Sequence, residues 1–161
     1  MDTWLALASK RDVREYAETP LPDDVVTRIL DAGRLAGSAR NRQLWEFVIV
    51  ETARTELAGA VFAPRNVLGA TLVVAIVGGA TGMDTGRCAQ NMMLAAWNDG
   101  VGSCPNGQKD PEAAARICGG EVKAILSFGY PAKPRNPQSR SPEEWSARAN
   151  RKPLDELVRR V

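Results

Sequence analysis

The chain has 161 residues, of which 44% are hydrophobic and 25% are charged. These fractions match an average globular domain, so we expect one domain, residues 1–161, with a substantial core. The chain has 21 basic and 19 acidic residues, a net charge of +2, and no histidine. Because acids and bases are interspersed, we expect no nucleic-acid partner. The lack of histidine excludes His-based catalytic triads and His-ligated metal sites.

The cysteines and the apolar segments indicate the cellular environment. Cys88, Cys104 and Cys118 form no C-x-x-C pair, which predicts buried thiols in a reducing compartment and no metal site, although Cys104 could instead line a pocket. The N-terminus has no signal-peptide pattern, and the longest apolar run, residues 70–77, is shorter than the roughly 20 residues of a membrane span. We therefore expect a cytoplasmic protein with no membrane partner.

Hydrophobic spacing and helix-capping residues predict the secondary structure in chain order. In the first part we expect a helix at 2–9, a charged turn at 10–20, a helix from Leu21 to about Gly37, a strand at 45–50 and a short helix at 52–60. In the second part we expect a buried strand at 70–77, a helix capped by Asp84 that runs to about Asn98, a loop at 100–107, a helix at 111–118, a strand at 122–128, an irregular arm at 131–142 and a helix at 154–161. Helices outnumber strands without regular alternation, which indicates an α+β fold.

Several common nucleotide and nucleophile motifs are absent. The sequence contains no G-x-x-x-x-G-K-[ST] loop and no G-x-S-x-G elbow. Residues 78–82 follow a predicted strand and are rich in glycine, but they do not match G-x-G-x-x-G. The sequence therefore does not favour a P-loop, a dinucleotide-binding Rossmann turn or a serine hydrolase.

Three polar stretches carry the functional information. Residues 10–16 hold three cations within five positions, residues 38–45 form a polar turn, and residues 150–154 hold a second cationic pair. The carboxamides of Asn41 and Gln43 in the polar turn can both donate and accept hydrogen bonds. Two separated cationic clusters with carboxamides fit a ligand that has a phosphate and a polar ring. Alone, the first stretch is also typical of a solvated charged turn.

These stretches, in this order, resemble the nitroreductase family of FMN-dependent oxidoreductases. Six segments are similar to family motifs: the basic opening Lys10 to Tyr16, the helix end and turn Ala36 to Trp45, the helix Ala89 to Ala96, the Gly-x-Gly-Ser turn Gly100 to Ser103, the strand end Gly129 to Pro131, and the closing stretch Arg151 to Glu156. The resemblance covers almost the whole chain.

The resemblance implies a three-layer fold in which a central, mainly antiparallel sheet is flanked by helices. It implies FMN as cofactor, NAD(P)H as electron donor, a nitroaromatic, quinone or similar electrophile as acceptor, and a homodimer with the flavin at the interface. No catalytic side chain is implied, because the flavin carries the chemistry. The implied cofactor-binding residues are Lys10, Arg11, Asp12, Arg14, Ser38, Asn41, Gln43, Cys104, Asn106, Gly107, Arg151 and Lys152.

The resemblance also implies a role for each group of these residues. Lys10, Arg11 and Arg14 correspond to the family's phosphate-binding positions, and Arg151 or its neighbour Lys152 corresponds to the second phosphate cation. Asn41, with Gln43 beside it, corresponds to a contact with the flavin. The loop at 104–107 corresponds to backbone groups that approach the reactive side of the isoalloxazine ring.

The sequence departs from the family pattern at four places. Asp12 replaces a serine and is compatible with a phosphate only if it pairs with Arg11 or Arg14. Leu44 replaces a proline, and Asn106 stands where several members have glutamate. The chain is short between Ala80 and Asp84, which predicts an open substrate pocket. Two alternatives therefore remain: a flavin-binding storage or sensor protein with little turnover, and a cofactor-free interaction domain.

Residue types on the predicted helix that ends near Asn98 also favour a homodimer. Met92, Met93, Ala95 and Ala96 lie around more than one face of this helix, and the chain has four tryptophans. Small side chains allow helices to approach closely, and methionine adapts to irregular interfaces. The alternative is a helix that is wholly internal to one protomer.

Overall fold

The computed structural model describes all residues from 1 to 161. Contacts within the chain define two compact units, a larger one at residues 11–135 and a smaller one made of residues 1–10 and 136–161. A single domain and a cytoplasmic location stay predictions. None of the helices is both long and apolar enough to cross a membrane.

The larger unit is built on a four-stranded sheet. Its strands are β1 (Glu46–Ile49), β2 (Leu72–Val77), β3 (Gly102–Asn106) and β4 (Val122–Gly129), in the spatial order β1-β2-β4-β3. Every neighbouring pair is antiparallel. The apolar run predicts β2 correctly, because all six of its residues are buried, as the sequence of a central strand covered on both faces requires.

Helices cover both faces of this sheet. The first helix, α1 (Thr3–Ser9), belongs to the smaller unit. The helices of the larger unit are α2 (Asp23–Arg34), α3 (Arg54–Gly59), α4 (Pro64–Leu68), α5 (Gly82–Asn98) and α6 (Pro111–Cys118). Leu72, Val74 and Ile76 of β2 join one core cluster with α2 and α5. The alternate residues of β2 join a second cluster with α3, α4 and α6. The predicted α+β fold with three layers and an antiparallel sheet is confirmed.

Capping residues explain where two of these helices begin and end. Thr81 caps α5, because its hydroxyl oxygen accepts a hydrogen bond from the Asp84 backbone nitrogen at 3.2 Å. The prediction that Asp84 is the cap is wrong, since its carboxylate instead accepts a hydrogen bond from the Ala39 backbone at 3.3 Å. Asp110 caps α6, and Gly119 ends it as predicted, in the left-handed conformation (φ 76°).

Several boundaries and elements differ from the sequence prediction. The helix predicted from Leu21 begins at Asp23 and ends at Arg34, and the short α4 was not predicted. The segment predicted as a loop at 100–107 contains β3, which pairs with β4 along its whole length. Gly102 and Pro105 are poor strand formers, so only this non-local pairing makes the segment a strand; Pro105 is tolerated because β3 is an edge strand.

The smaller unit consists of short helices. It contains α1, a 3₁₀ turn at Pro137–Ser139, α7 (Pro142–Arg148) and α8 (Leu154–Leu157), and α1 packs against α7. A capping box between Ser141 and Glu144 starts α7, whose first residue lies in the segment predicted as an irregular arm. The Trp145 indole donates a hydrogen bond to the Pro137 carbonyl at 2.7 Å. The C-terminal helix is four residues long rather than the predicted eight.

The apolar residues of α5 are internal to the protomer. Met92, Met93 and Ala96 are buried, and Ala95 is half-buried. The helix is apolar on more than one face because it packs both on α2 and on the sheet. The interpretation of these side chains as a dimer surface is therefore wrong, whereas the homodimer itself stays a prediction.

The three cysteines are buried thiols, as predicted, and none of them forms a disulfide. Burial raises the pKa of Cys88 to about 11 and also raises the pKa of Cys118, because a thiolate is poorly solvated in an apolar core. We expect Ellman's reagent at pH 8 to react slowly with the folded protein and promptly with three thiols in urea. Rapid labelling of all three thiols in the folded protein would contradict this packing.

Candidate functional site

The predicted basic stretch lies in the larger unit, next to two strands. Between Arg11 and Ala17, Asp12 and Tyr16 form isolated β-bridges to Ser103 and Pro131, and backbone hydrogen bonds hold the segment. The Val13 nitrogen donates to the Ser103 carbonyl of β3 at 2.9 Å, and the Ala17 nitrogen donates to the Tyr130 carbonyl at 2.8 Å. The Ala132 nitrogen donates to the Glu15 carbonyl at 3.0 Å. These bonds join the basic segment (residues 11–16) to β3 and to the chain that follows β4.

Two glycines leave room for the basic segment. A Cβ atom on Gly102 would lie 2.6 Å from Val13 Cβ, and one on Gly129 would lie 2.9 Å from Tyr16 Cδ1. Both distances are too short for real carbon contacts, so only glycine allows Val13 and Tyr16 to pack this closely on the strands. Val13 is buried, and its neighbours Asp12 and Arg14 are exposed.

A pocket of about 270 Å³ lies beside the basic segment. Its walls are Asp12, Val13, Arg14, Glu15, Pro131, Lys133 and Arg135. Three basic and two acidic side chains leave it one net positive charge. Arg14 pairs with Asp12 at 3.6 Å, which is the pairing that an acid at this position requires. Neither Lys133 nor Arg135 forms an ion pair with a carboxylate. We call the pocket lined by these residues the basic pocket.

The structure distributes the predicted cations between the two units. Arg11 and Arg14 belong to the larger unit, whereas Lys10, Arg151 and Lys152 belong to the smaller one. Lys10 follows the last turn of α1, and Arg151 and Lys152 are exposed before α8. The sequence pattern places Lys133 and Arg135 in an irregular arm and does not predict them as site residues. The signal was their position two and four residues after the Gly-Tyr-Pro strand end.

The predicted polar turn brings Ser38, Asn41 and Gln43 together. The Gln43 backbone nitrogen donates to the Ser38 hydroxyl oxygen at 2.9 Å, and the Gln43 side-chain nitrogen donates to the Asn41 carbonyl at 3.3 Å. Asn41 and Gln43 both have positive φ angles, 53° and 52°, a strained conformation that clusters at functional sites. Gln43 also lines a groove of about 460 Å³ with Trp45, Phe47 and residues of α2.

The third group of predicted residues surrounds the end of β3. Cys104 and Asn106 are buried, so Cys104 does not line an open pocket as one interpretation suggested. The Asn106 side-chain nitrogen donates to the Cys104 carbonyl at 3.1 Å and to the Ser127 hydroxyl at 3.2 Å. Gly107 is exposed, and its carbonyl accepts a hydrogen bond from the Phe62 nitrogen at 3.0 Å. Pro105 and Gly107 are therefore the exposed residues of this segment.

Comparison with known proteins identifies the family. A model of the nitroreductase family matches residues 7–75 and 80–130, well over half of the chain. The chain belongs to the nitroreductase family. Its members are oxidoreductases, so the protein is an enzyme of that class.

Individual relatives are similar along most of their length. A Methanothermobacter thermautotrophicus protein, whose name pairs NADH dehydrogenase with NAD(P)H nitroreductase, is 25% identical and covers 87% of this chain and 82% of its own. A nitroreductase family protein from Clostridium difficile 630 superposes with a TM-score of 0.82 at 23% identity, covering 99% of this chain and 98% of its own. A Desulfovibrio desulfuricans protein solved in complex with FMN has a TM-score of 0.79 at 24% identity, and the match covers 98% of this chain and 96% of that protein. The two structures establish the shared fold.

The contact between Gly102 and Val13 gives a direct stability test. We expect Gly102→Ala to lower the free energy of unfolding by about 1–3 kcal/mol, because the new methyl group overlaps Val13. Gly59→Ala is the matched control, since nothing lies within 4 Å of its Cβ position in α3. Urea unfolding of the three proteins measures the difference. Equal stability of Gly102→Ala and wild type would mean that the basic segment does not pack on β3 as described.

Proposed function

We propose that the protein is an FMN-dependent oxidoreductase that transfers reducing equivalents from NAD(P)H to nitroaromatic, quinone or similarly electrophilic acceptors. The observation that carries this proposal is the basic pocket, which is built from the motif that resembles the family's phosphate-binding stretch. The FMN complex of the Desulfovibrio desulfuricans protein and the name of the Methanothermobacter relative support it.

The basic pocket fits the phosphate group of FMN. A phosphate monoester carries nearly two negative charges at neutral pH and accepts charge-assisted hydrogen bonds. Arg14 offers a planar fork of donors, and Lys133 and Arg135 have no carboxylate partner to give up. We therefore add Lys133 and Arg135 to the phosphate-binding residues already implied, which are Lys10, Arg11, Arg14 and the pair Arg151 and Lys152.

The remaining assigned residues suit the rest of the cofactor. The carboxamides of Asn41 and Gln43 are exposed on a strained turn and can donate or accept at the edge of a heterocycle. Ser38 holds this turn through its bond to Gln43. Cys104 and Asn106 are assigned a supporting role, because their side chains are buried and that of Asn106 bonds the backbone of β3, which ends just before Gly107.

In this proposal the protein binds and orients, and it supplies no acid or base. FMN, when bound, supplies the hydride-transfer chemistry. The cations of the basic pocket fix one end of the ligand, and donors on the polar turn stabilise negative charge on the ring. This division of labour is consistent with a sequence that has no histidine.

The proposed enzyme is a homodimer with the flavin at the interface. Leu35 and Met83 are exposed large apolar side chains, and both line a groove of about 550 Å³ with Gly37, Gly82 and Gly86. Gly82 and Gly86 have nothing within 4 Å of their Cβ positions, so a second copy could approach the N-terminal half of α5 closely. We propose this surface, rather than the buried methionines, as the dimer contact.

The test of the function uses the purified full chain. We expect a yellow protein whose heat-released cofactor is FMN by mass spectrometry, and which oxidises NADH or NADPH faster when a quinone or nitroaromatic acceptor is added. FMN binding without NAD(P)H oxidation would instead favour the storage or sensor alternative. A protein that binds no FMN after reconstitution would reject the proposal.

The phosphate assignment has a separate test. We expect Lys133→Ala and Arg135→Ala each to weaken FMN binding by about tenfold to a hundredfold, since a charge-assisted contact contributes about 1.5–3 kcal/mol. Riboflavin, which has no phosphate, should bind these variants as it binds the wild type. Arg116→Ala on α6 removes an exposed charge elsewhere and is the matched control. Fluorescence titration measures all affinities; equal FMN affinity in every variant would exclude Lys133 and Arg135.

The dimer surface is tested by a charge substitution. We expect light scattering of the FMN-bound wild type to give twice the protomer mass of 17.4 kDa. Met83→Glu should shift the sample toward the protomer mass, because a carboxylate is costly to bury in an apolar contact. Leu68→Glu, at another exposed apolar residue, should leave the mass unchanged. A flavin-loaded wild-type monomer would refute the dimer.

A further inference from the structure

The hydroxyl of Tyr16 lies at the end of the basic segment and points into the larger unit. Its oxygen is 2.6 Å from the Val13 carbonyl oxygen, 2.9 Å from the Ser127 hydroxyl and 3.3 Å from the Ser127 carbonyl. A phenol has one proton, and the short distance to Val13 makes that carbonyl the best acceptor. The Ser127 hydroxyl can then donate to the Tyr16 oxygen, and this bond connects the basic segment to β4.

This hydrogen bond completes the fixation of Val13. The Val13 nitrogen already donates to Ser103, and the Val13 side chain packs where Gly102 leaves room. With its carbonyl also bonded to Tyr16, both polar backbone groups of Val13 are held. Val13 lies between Asp12 and Arg14, so its backbone determines the direction in which Arg14 leaves the segment.

We propose that Tyr16 is a positioning residue for phosphate binding: its hydroxyl fixes the Val13 backbone so that Arg14 faces the basic pocket together with Lys133 and Arg135. The inference rests on the proposed function, because the phosphate is that of FMN. Tyr16 does not contact the ligand in this scheme and acts through Arg14.

The surroundings of the hydroxyl support this role. Ser127 is fully buried and bonds Asn106, so the far side of the hydroxyl faces a hydrogen-bonded cluster rather than solvent. Burial raises the pKa of Tyr16, so the hydroxyl stays protonated at neutral pH and can donate a hydrogen bond. Without the Tyr16 hydroxyl, the Val13 carbonyl loses this donor. A buried carbonyl without a donor tends to move toward another partner or toward water.

Tyr16→Phe tests the inference, because it keeps the ring that packs on Gly129 and removes only the hydroxyl. We expect the dissociation constant for FMN to rise about tenfold and that for riboflavin to change by less than about twofold, since a displaced Arg14 loses only its phosphate contact. Tyr130→Phe is the matched control: Tyr130 is half-buried and its hydroxyl makes no hydrogen bond. It should bind both flavins as the wild type does.

A double variant separates positioning from a general loss of structure. If Tyr16 acts through Arg14, Tyr16→Phe should have little further effect on FMN affinity in an Arg14→Ala background. Equal loss of FMN and riboflavin affinity in Tyr16→Phe, or fully multiplicative effects with Arg14→Ala, would overturn the proposal. A Tyr16→Phe protein that does not fold would show that the hydroxyl is needed for stability in general, and this outcome would also overturn the proposal.

The wild-type titration distinguishes this inference from the proposed function. Wild type that binds no FMN rejects the proposed function, and the inference falls with it. Wild type that binds FMN while Tyr16→Phe binds it equally well rejects the positioning role alone.

Discussion

The close packing of the basic segment on two glycines is the constraint on which the candidate site depends. Val13 and Tyr16 occupy the space that side chains on Gly102 and Gly129 would otherwise fill. Because these two residues are fixed against β3 and β4, the backbone bonds from Val13 to Ser103 and from Ala132 to Glu15 can form. The second of these bonds brings the chain after β4, with Lys133 and Arg135, beside Arg14.

A buried cluster of hydrogen-bonded polar side chains also fixes the position of the basic segment. Most of the sheet face beneath α3, α4 and α6 is apolar, but Tyr16, Ser127 and Asn106 form a connected set of hydrogen bonds there. Burying polar groups is costly unless they are paired, and the Asn106 side-chain oxygen has no partner. Apolar contacts tolerate small sliding movements, whereas hydrogen bonds lose energy quickly with distance and angle. The cluster therefore defines the position of the basic segment more sharply than hydrophobic packing alone.

The sequence predicted those parts of the fold that have a strong local signal. The apolar run of β2, the amphipathic pattern of α2 and the glycine stop of α6 all reflect nearby residues, and each element formed close to its predicted place. β3 has no such signal, since its strand conformation depends on β4, about twenty residues later. For the same reason the charge pattern indicated Arg11 and Arg14 but not Lys133 and Arg135, which come beside Arg14 only through tertiary hydrogen bonds. The apolar faces of α5 were visible in the sequence, but whether they pack inside one protomer or between two was not.

An acid in a phosphate pocket requires an energetic explanation, and the exposure of the Asp12–Arg14 pair provides one. The two side chains are 36% and 62% exposed and 3.6 Å apart. Exposed ion pairs of this kind contribute at most about 1 kcal/mol, because water screens them and ordering the side chains costs entropy. A charge-assisted bond from arginine to phosphate contributes about 1.5–3 kcal/mol, and a guanidinium has five donors, so Arg14 can bind a phosphate while it still faces Asp12. Asp12 then holds Arg14 near its binding direction in the free protein without competing successfully with the ligand. By this comparison an aspartate in place of serine reduces the affinity of the pocket for phosphate only modestly.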